Sequence, residues 1–482
     1  MGTIIAESIK NHRSLWFLCS VLLFVNLYSF STLTTKPAFW YDEGINVELA
    51  RNFADFGELD LAIAPNTFSG KGATVGSTGY PITVPLAGFF KLFGFGLEQA
   101  RVYMLLWMSA LIVVFFFVTK KLWGTGVAYG GTLLVATFAP FYGNGRSVMG
   151  EIPGLVFFFA SFYFLEKRKW WQSGVLLGLA VISKPSVFIF LIPAYTLVVL
   201  LSREEWRARL MNLFKLGGSS ALTLCPWLLI YVDEISRGGL WETLLAHFKN
   251  PYSEAGASVL QNIGNNLPTL VTSSTLLYMW TMLLLVFLAL FLERSFFSQH
   301  KNLFIFATVY LPLALFQYLK SFGYLRYLLA AEFIVFILFV ISLPILSRLI
   351  SKKLAFLEGA PLRTEGIIIA GLVMLQIVHL FWFSDIYPSE KTQKTMAYLS
   401  SAYPGTTVGV FDVPQVASLL PADKKYQYLS TYGLWEFGVN PLLLPSEKMP
   451  SILIAEAEDP AFLVSYEKDL AFSDGFLVYK KK

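Results

Sequence analysis

Long apolar runs separated by short basic connections organise this chain. We place membrane-spanning helices at roughly 15–33, 101–119, 123–142, 151–166, 170–184, 186–201, 211–231, 270–292, 302–319, 326–346 and 366–385. About 20 apolar residues carry a helix across the hydrocarbon, and about 17 is the usual lower bound. The runs 170–184 and 186–201 are short, but Lys184-Pro185 lies between them, and a proline ends or kinks a helix. Counting them as two gives about eleven spans. The first run follows Lys10, His12 and Arg13 as a signal sequence would. It is long and lacks a small-residue cleavage site, so an uncleaved span is expected.

The basic residues orient this arrangement. With the N-terminus inside, the inner connections hold Lys120-Lys121, Lys167-Arg168-Lys169, Arg203/Arg207/Arg209, Arg294/Lys301 and Arg348/Lys352/Lys353/Arg363. Merging 170–201 into one span would move Arg203, Arg207 and Arg209 outside and break the positive-inside asymmetry. The C-terminus is then expected outside, on the periplasmic or extracytoplasmic face of an inner (plasma) membrane.

Three stretches stand outside the pattern. The outer connection from about Thr34 to Ala100 is long enough to suggest function. Its end, Tyr80–Phe95, is apolar and carries Pro81 and Pro85; we expect a helix lying on or dipping into the outer surface. A second outer loop covers about Val232–Leu270. The tail alternates β-like runs (Val408–Phe411, Ser451–Ala455, Phe476–Tyr479) with Pro, Gly and charge, which suggests a small extracytoplasmic α/β domain. The expected organisation is an α-helical polytopic membrane domain over 1–386 and a soluble domain over 387–482.

Composition agrees. The chain has 482 residues, 55% hydrophobic and 14% charged, against about 25% charged in soluble domains. Phe (44) and Tyr (23) are abundant, as expected for lipid-facing and interfacial positions. A net charge of +5 carried in short loops reads as membrane orientation, with no nucleic-acid partner. The two cysteines, Cys19 and Cys225, provide no disulfide framework or Cys-based metal site.

Candidate chemistry sits at the outer ends of the spans. Trp40-Tyr41-Asp42-Glu43-Gly44 follows the first span, and partial desolvation there would suit a carboxylate acting as a base. Alternatively, Asp42 caps a helix running to about Phe56 and Glu43 favours its dipole. Arg146 and Glu151 flank the outer end of another span, where Glu151 is either functional or a cap. Lys184 and Arg326 are lone cations at span ends, where snorkelling to headgroups is the plain alternative. These residues are far apart in the chain, yet the topology gathers them at one face. Acids and cations at a lipid–water boundary suit transfer from a lipid phosphate: an acid accepts the acceptor's proton and cations stabilise the departing phosphate.

These residues also resemble a family. Asp42-Glu43, Glu48-Leu49-Ala50-Arg51-Asn52-Phe53 and Gly57 are followed by Ser77-Thr78-Gly79-Tyr80-Pro81-Ile82-Thr83-Val84-Pro85-Leu86, Leu92-Phe93-Gly94 and Ala100-Arg101. Then come Arg146…Glu151, Gly178-Leu179-Ala180…Lys184 and Arg326-Tyr327-Leu328-Leu329. In order and spacing, over roughly 15–350, the chain resembles bacterial GT-C integral-membrane glycosyltransferases, near the protein O-mannosyltransferase and lipid A aminoarabinose transferase group. The resemblance implies a GT-C-like fold, a polyprenyl-phosphate sugar donor and inversion by single displacement. It implies Asp42 as base and Glu151 as the second acidic position. A Lys found in some relatives before the first-loop Pro motif is absent; Gly79-Tyr80 stand there, so that donor contact does not carry over. Arg326, with Lys184 or Arg146, is the expected phosphate ligand set, and Glu43 and Glu151 would orient the acceptor or Asp42. No cofactor is demanded; a divalent metal is compatible with the superfamily.

The rival readings are a transporter or flippase, and a polymerase or ligase of lipid-linked glycans. Transport would call for ionisable groups near mid-membrane. The span centres are nearly free of charge, with Glu332 close to the start of its span.

Overall fold

The computed structural model describes residues 2–64, 67–76, 78–241, 258–353, 361–384, 386–420, 426–430, 438, 440–456 and 463–482. Among the described residues, seven helices are long and apolar enough to cross a membrane: His12–Phe30, Leu97–Trp123, Trp206–Ile230, Ser274–Leu292, Lys301–Lys320, Leu325–Lys352 and Thr364–Trp382. The other four expected spans are helical but shorter or broken. Residues 123–142 divide into Thr125–Ala136 and Ala139–Gly145, with Pro140 in the first turn of the latter. Glu151–Glu166 has 16 residues and Trp170–Ser183 has 14. The stretch 186–201 is split between Pro185–Phe188 and Leu191–Leu200. Proline accounts for the break at Lys184-Pro185: with no amide hydrogen it opens a new helix at its first position.

Helix Leu325–Lys352 is the hub of the bundle. Its apolar window is 89% buried, against 17% for Thr364–Trp382, so it runs through the centre while the latter lies at the edge. A helix apolar all round, as Phe333–Val340 is, suits such a position. Polar side chains also tie the bundle: Ser161 Oγ donates to the Ser173 carbonyl at 2.7 Å and Ser173 Oγ to the Ser161 carbonyl at 3.0 Å. In lipid such links and close packing hold helices together, because the lipid is as apolar as the helix surfaces.

Beyond the first helix, α1 (Gly2–Phe30), the outer connection folds into helix α2, Tyr41–Phe56, a short antiparallel pair of β1 (Ala62–Ala64) and β2 (Thr67–Phe68), and helix Tyr80–Phe93. The latter is the helix expected over Tyr80–Phe95. It buries Ile82, Leu86 and Phe90 against Val47 and Ala50 of α2 and leaves Leu92 and Phe93 exposed. Ser77 of the resemblance motif and 242–257 of the second outer loop lie outside the described residues.

The tail forms a five-stranded sheet, ordered β4-β3-β5-β7-β6. Its strands are β3 Val408–Phe411, β4 Tyr426–Leu429, β5 Ile452–Ala455, β6 Tyr466–Lys468 and β7 Leu477–Lys481. β3 lies parallel to β4 and β5, while β7 is antiparallel to β5 and β6. Both faces of β3 and β5 are buried, which accounts for their unbroken apolar character. One face shares a core with the outer connection: Val408, Val410, Ile452 and Ile454 pack with Ile45, Leu49, Leu61 and Val75. Gly44 makes the contact close, since a Cβ there would meet the Gln415 Cα at 2.5 Å. Arg51 seals it, donating to the Ser418 and Leu420 carbonyls at 3.2 and 2.6 Å.

Candidate active site

The site begins with α2. Its N-cap is Trp40, whose side chain makes no capping hydrogen bond, so Asp42 is the second helical residue rather than the cap. The Asp42 side chain leaves its own helix: Arg326 Nη2 donates to Asp42 Oδ2 at 2.8 Å. The guanidinium carbon lies 4.4 Å from the centre of the Trp40 ring, 4.9 Å from Tyr324 and 5.5 Å from Tyr327. Aromatic faces attract a cation, so this box holds the planar fork in position.

Glu151 approaches from another side, with Oε1 3.9 Å from Arg326 Nε. Neither of its oxygens has a hydrogen-bond partner among the described residues, and the N-cap of its helix is Gly150. The capping alternatives for both acids therefore fail. Lys184, at the break in the chain, has Glu151, Arg326 and Asp42 as charged neighbours. At 3% exposure it is buried, so it does not snorkel. Glycine brings its backbone close: a Cβ at Gly150 would meet the Ser183 carbonyl oxygen at 1.9 Å, and one at Gly79 would meet that of Ile182 at 2.1 Å.

Glu43 and Arg146 occupy a neighbouring layer. Arg101 grips Glu43 with both arms, Nε to Oε1 at 3.0 Å and Nη2 to Oε2 at 2.8 Å, and both side chains are fully buried. The Val148 amide also donates to Glu43 Oε1 at 3.3 Å. Glu43 thereby pins α2 to helix Leu97–Trp123 and to the segment before Glu151. Arg146 donates to Thr32 Oγ1 at 2.7 Å and to the Tyr142 carbonyl at 3.3 Å, and lies over the Tyr28 ring. These contacts brace the end of the first helix.

Sequence reasoning gave no role to Arg101, Trp40 or Asn46. Asn46 Nδ2 donates to Thr78 Oγ1 at 3.1 Å and to the Val148 carbonyl at 2.8 Å, binding the loop to the site. A basic residue opening a span as Arg101 does was the available signal, because a charge there needs a partner. Among the described residues no group of three or more His, Cys, Asp or Glu could hold a metal ion.

Similarity to known proteins follows this geometry. The family model for dolichyl-phosphate-mannose-protein mannosyltransferase matches residues 83–230. No curated protein matches the sequence. The structure superposes on ArnT from Cupriavidus metallidurans bound to undecaprenyl phosphate with a TM-score of 0.61 and 13% identity, over 96% of this chain and 97% of that one. Against the same protein in the apo state the values are 0.60 and 14%, over 98% of each chain. The archaeal oligosaccharyltransferase AglB from Archaeoglobus fulgidus, in complex with an inhibitory peptide and a dolichol-phosphate, gives 0.52 and 12%, over 86% of this chain and 64% of that one. The chain thus shares its fold with ArnT from Cupriavidus metallidurans, and its residues 83–230 resemble the dolichyl-phosphate-mannose-protein mannosyltransferase family.

Proposed function

We propose that the chain transfers a sugar from a polyprenyl-phosphate carrier to an acceptor hydroxyl or amine at the extracytoplasmic face of the membrane. The observation that carries this reading is the buried Asp42–Arg326 pair, flanked by Glu151 and Lys184. An arriving phosphate offers Arg326 an alternative anion that its planar fork can grip in two places. Donor binding would then release Asp42 to face the acceptor. The acceptor atom bonds to the anomeric carbon, the bond from that carbon to the phosphate oxygen breaks, and the acceptor's proton passes to Asp42. Polyprenyl phosphate departs with its charge held by Arg326 and Lys184. Glu151 would hold the acceptor, while Glu43, locked by Arg101, would position α2 and with it Asp42.

The fold relatives support a lipid-linked donor, since one binds undecaprenyl phosphate and another was captured with a dolichol-phosphate. The purified protein, given a radiolabelled polyprenyl-phosphate sugar and membrane extract, should move label from carrier to a new product. Comparing glycolipids and glycoproteins of a deletion strain with its parent should identify that product. Label that stays on the carrier, together with unchanged glycans in the deletion strain, would refute the reading.

A further inference from the structure

Arg348 lies roughly 30 Å beyond Arg326 along the central helix, at an end of the bundle that the proposed reaction does not use. It is set in the wall of a cavity of about 790 Å³ between helices Thr125–Ala136, Leu325–Lys352 and Thr364–Trp382 and the connection around Glu293. Most of that wall is apolar, including Val127, Leu133, Ile341, Ile345, Ile369 and Val373. The charged groups lining it are Glu293, Arg348 and Glu365, with Gln299 and His300 beside them. Arg348 Nη2 donates to Glu293 Oε2 at 2.7 Å and its Nε to the Pro344 carbonyl at 3.1 Å. Ser295 Oγ donates to the other Glu293 oxygen at 3.1 Å. Glu293 is thus matched, charge for charge, by Arg348. Glu365 receives one long hydrogen bond, from Ser347 Oγ to Oε1 at 3.4 Å. The cavity therefore joins an apolar wall to a guanidinium and one acid in excess.

Charge complementarity selects the occupant. The wall suits an acyl chain, and the head attached to that chain has to bring a cation to Glu365 and an anion to Arg348. A phosphoethanolamine head carries both, a phosphate next to a primary ammonium, and each makes charge-assisted hydrogen bonds. A choline head has the cationic charge but no N–H to donate. A phosphoglycerol head brings the phosphate without the cation. A phosphoserine head sets a second carboxylate against Glu365. We propose that this cavity binds phosphatidylethanolamine, with an acyl chain along the apolar wall, the ammonium on Glu365 and the phosphate against Arg348. A protonated Glu365 would donate as well as accept and would not select for a cation, so the test isolates the charge of this acid. The proposal does not rest on the transfer reaction, and its test requires no turnover.

The purified full chain, delipidated in detergent, is titrated with phosphatidylethanolamine, phosphatidylcholine and phosphatidylglycerol carrying brominated acyl chains. Trp123 lines the cavity, so bromine bound there quenches its fluorescence. The difference between the wild type and Trp123→Phe separates that signal from the other tryptophans. Phosphatidylethanolamine should half-quench Trp123 at roughly tenfold lower concentration than either other lipid, the ratio one charge-assisted hydrogen bond supplies. Glu365→Gln keeps a donor and an acceptor and removes only the charge, so it should bring phosphatidylethanolamine to the level of phosphatidylcholine. Gly366→Leu, on the cavity wall where a Cβ would meet nothing within 4 Å, should weaken binding of all three. No quenching of Trp123, equal binding of the three lipids, or tighter binding of phosphatidylcholine or phosphatidylglycerol would overturn the proposal. So would a phosphatidylethanolamine preference that survives in Glu365→Gln, or quenching unchanged in Gly366→Leu. If Glu365→Gln does not fold, the wild-type ranking and Gly366→Leu still decide it.

Discussion

Arg326 donates through Nη2 to Asp42 Oδ2 at 2.8 Å across 284 positions of sequence, with both side chains almost wholly buried. The pair joins the outer end of the central helix to the first turn of the first outer helix, and each partner presents a group that lipid-phosphate transfer needs. A buried ion pair is weak evidence for stability, because desolvation offsets much of its attraction. Its placement among Glu151, Lys184 and Trp40 is what the proposed transfer would use.

Asp42→Asn should abolish transfer while leaving expression, membrane insertion and donor binding intact. A positioned base contributes about 10²–10⁴-fold, and Asn keeps the shape without the basic charge. Initial rates with a labelled donor measure this. A fully active Asp42→Asn enzyme would remove Asp42 as base and make Glu151 the next candidate.

Arg326→Lys should weaken donor binding by about tenfold or more, because an ammonium is a point charge that cannot replace the bidentate fork. Titration with a fluorescent polyprenyl-phosphate analogue would show it. Unchanged affinity in Arg326→Ala would reassign the residue to a structural partner of Asp42.

Glu43 and Arg101 should behave as a structural unit. Removing one partner strands a buried charge, at a cost of about 3–5 kcal/mol, so Glu43→Gln or Arg101→Gln alone should lower the melting temperature in detergent markedly. Removing both, as Glu43→Gln with Arg101→Gln, should recover part of the loss in a double-mutant cycle. Additive losses would mean that the pair does not act as one.

Glu48 should make the junction between α2 and the C-terminal sheet sensitive to pH. Burial pushes its carboxyl up from 4.5 to about 7, against the pull of Arg51 and the hydrogen bonds from the Ala62 amide and Tyr426. With the folded value raised, the protonated form favours folding. That contribution is fully present below about pH 4.5 and is lost as the pH rises through about 7. At most it amounts to about 3 kcal/mol. Melting curves from pH 4.5 to 8 should show the wild type losing stability relative to Glu48→Gln as pH rises; parallel curves would remove Glu48 as the cause.

The positive-inside pattern predicts an N-terminus in the cytoplasm and a C-terminus outside. A reporter active only outside the cytoplasm should work when fused after Lys482 and fail when fused at Arg207. Activity at both sites would undo the separation of 170–184 from 186–201.

The sequence by itself determined the membrane character, the order of the helices and three of the five strands of the tail's sheet, because hydropathy, proline breaks and apolar β-runs are local properties. It also placed Asp42, Glu151, Lys184 and Arg326 at one face, since topology follows from those same local signals. Pairing was beyond it. That Arg326 holds Asp42, that Arg101 holds Glu43, and that Arg146 reaches Thr32 and Tyr28 depend on which helices become neighbours. So does the docking of the tail onto Gly44 and Arg51, where the small C-terminal sheet domain shares a core with the first outer connection. Helix packing in lipid is chosen by shape and by a few polar contacts over long chain separations, and hydropathy carries no record of either.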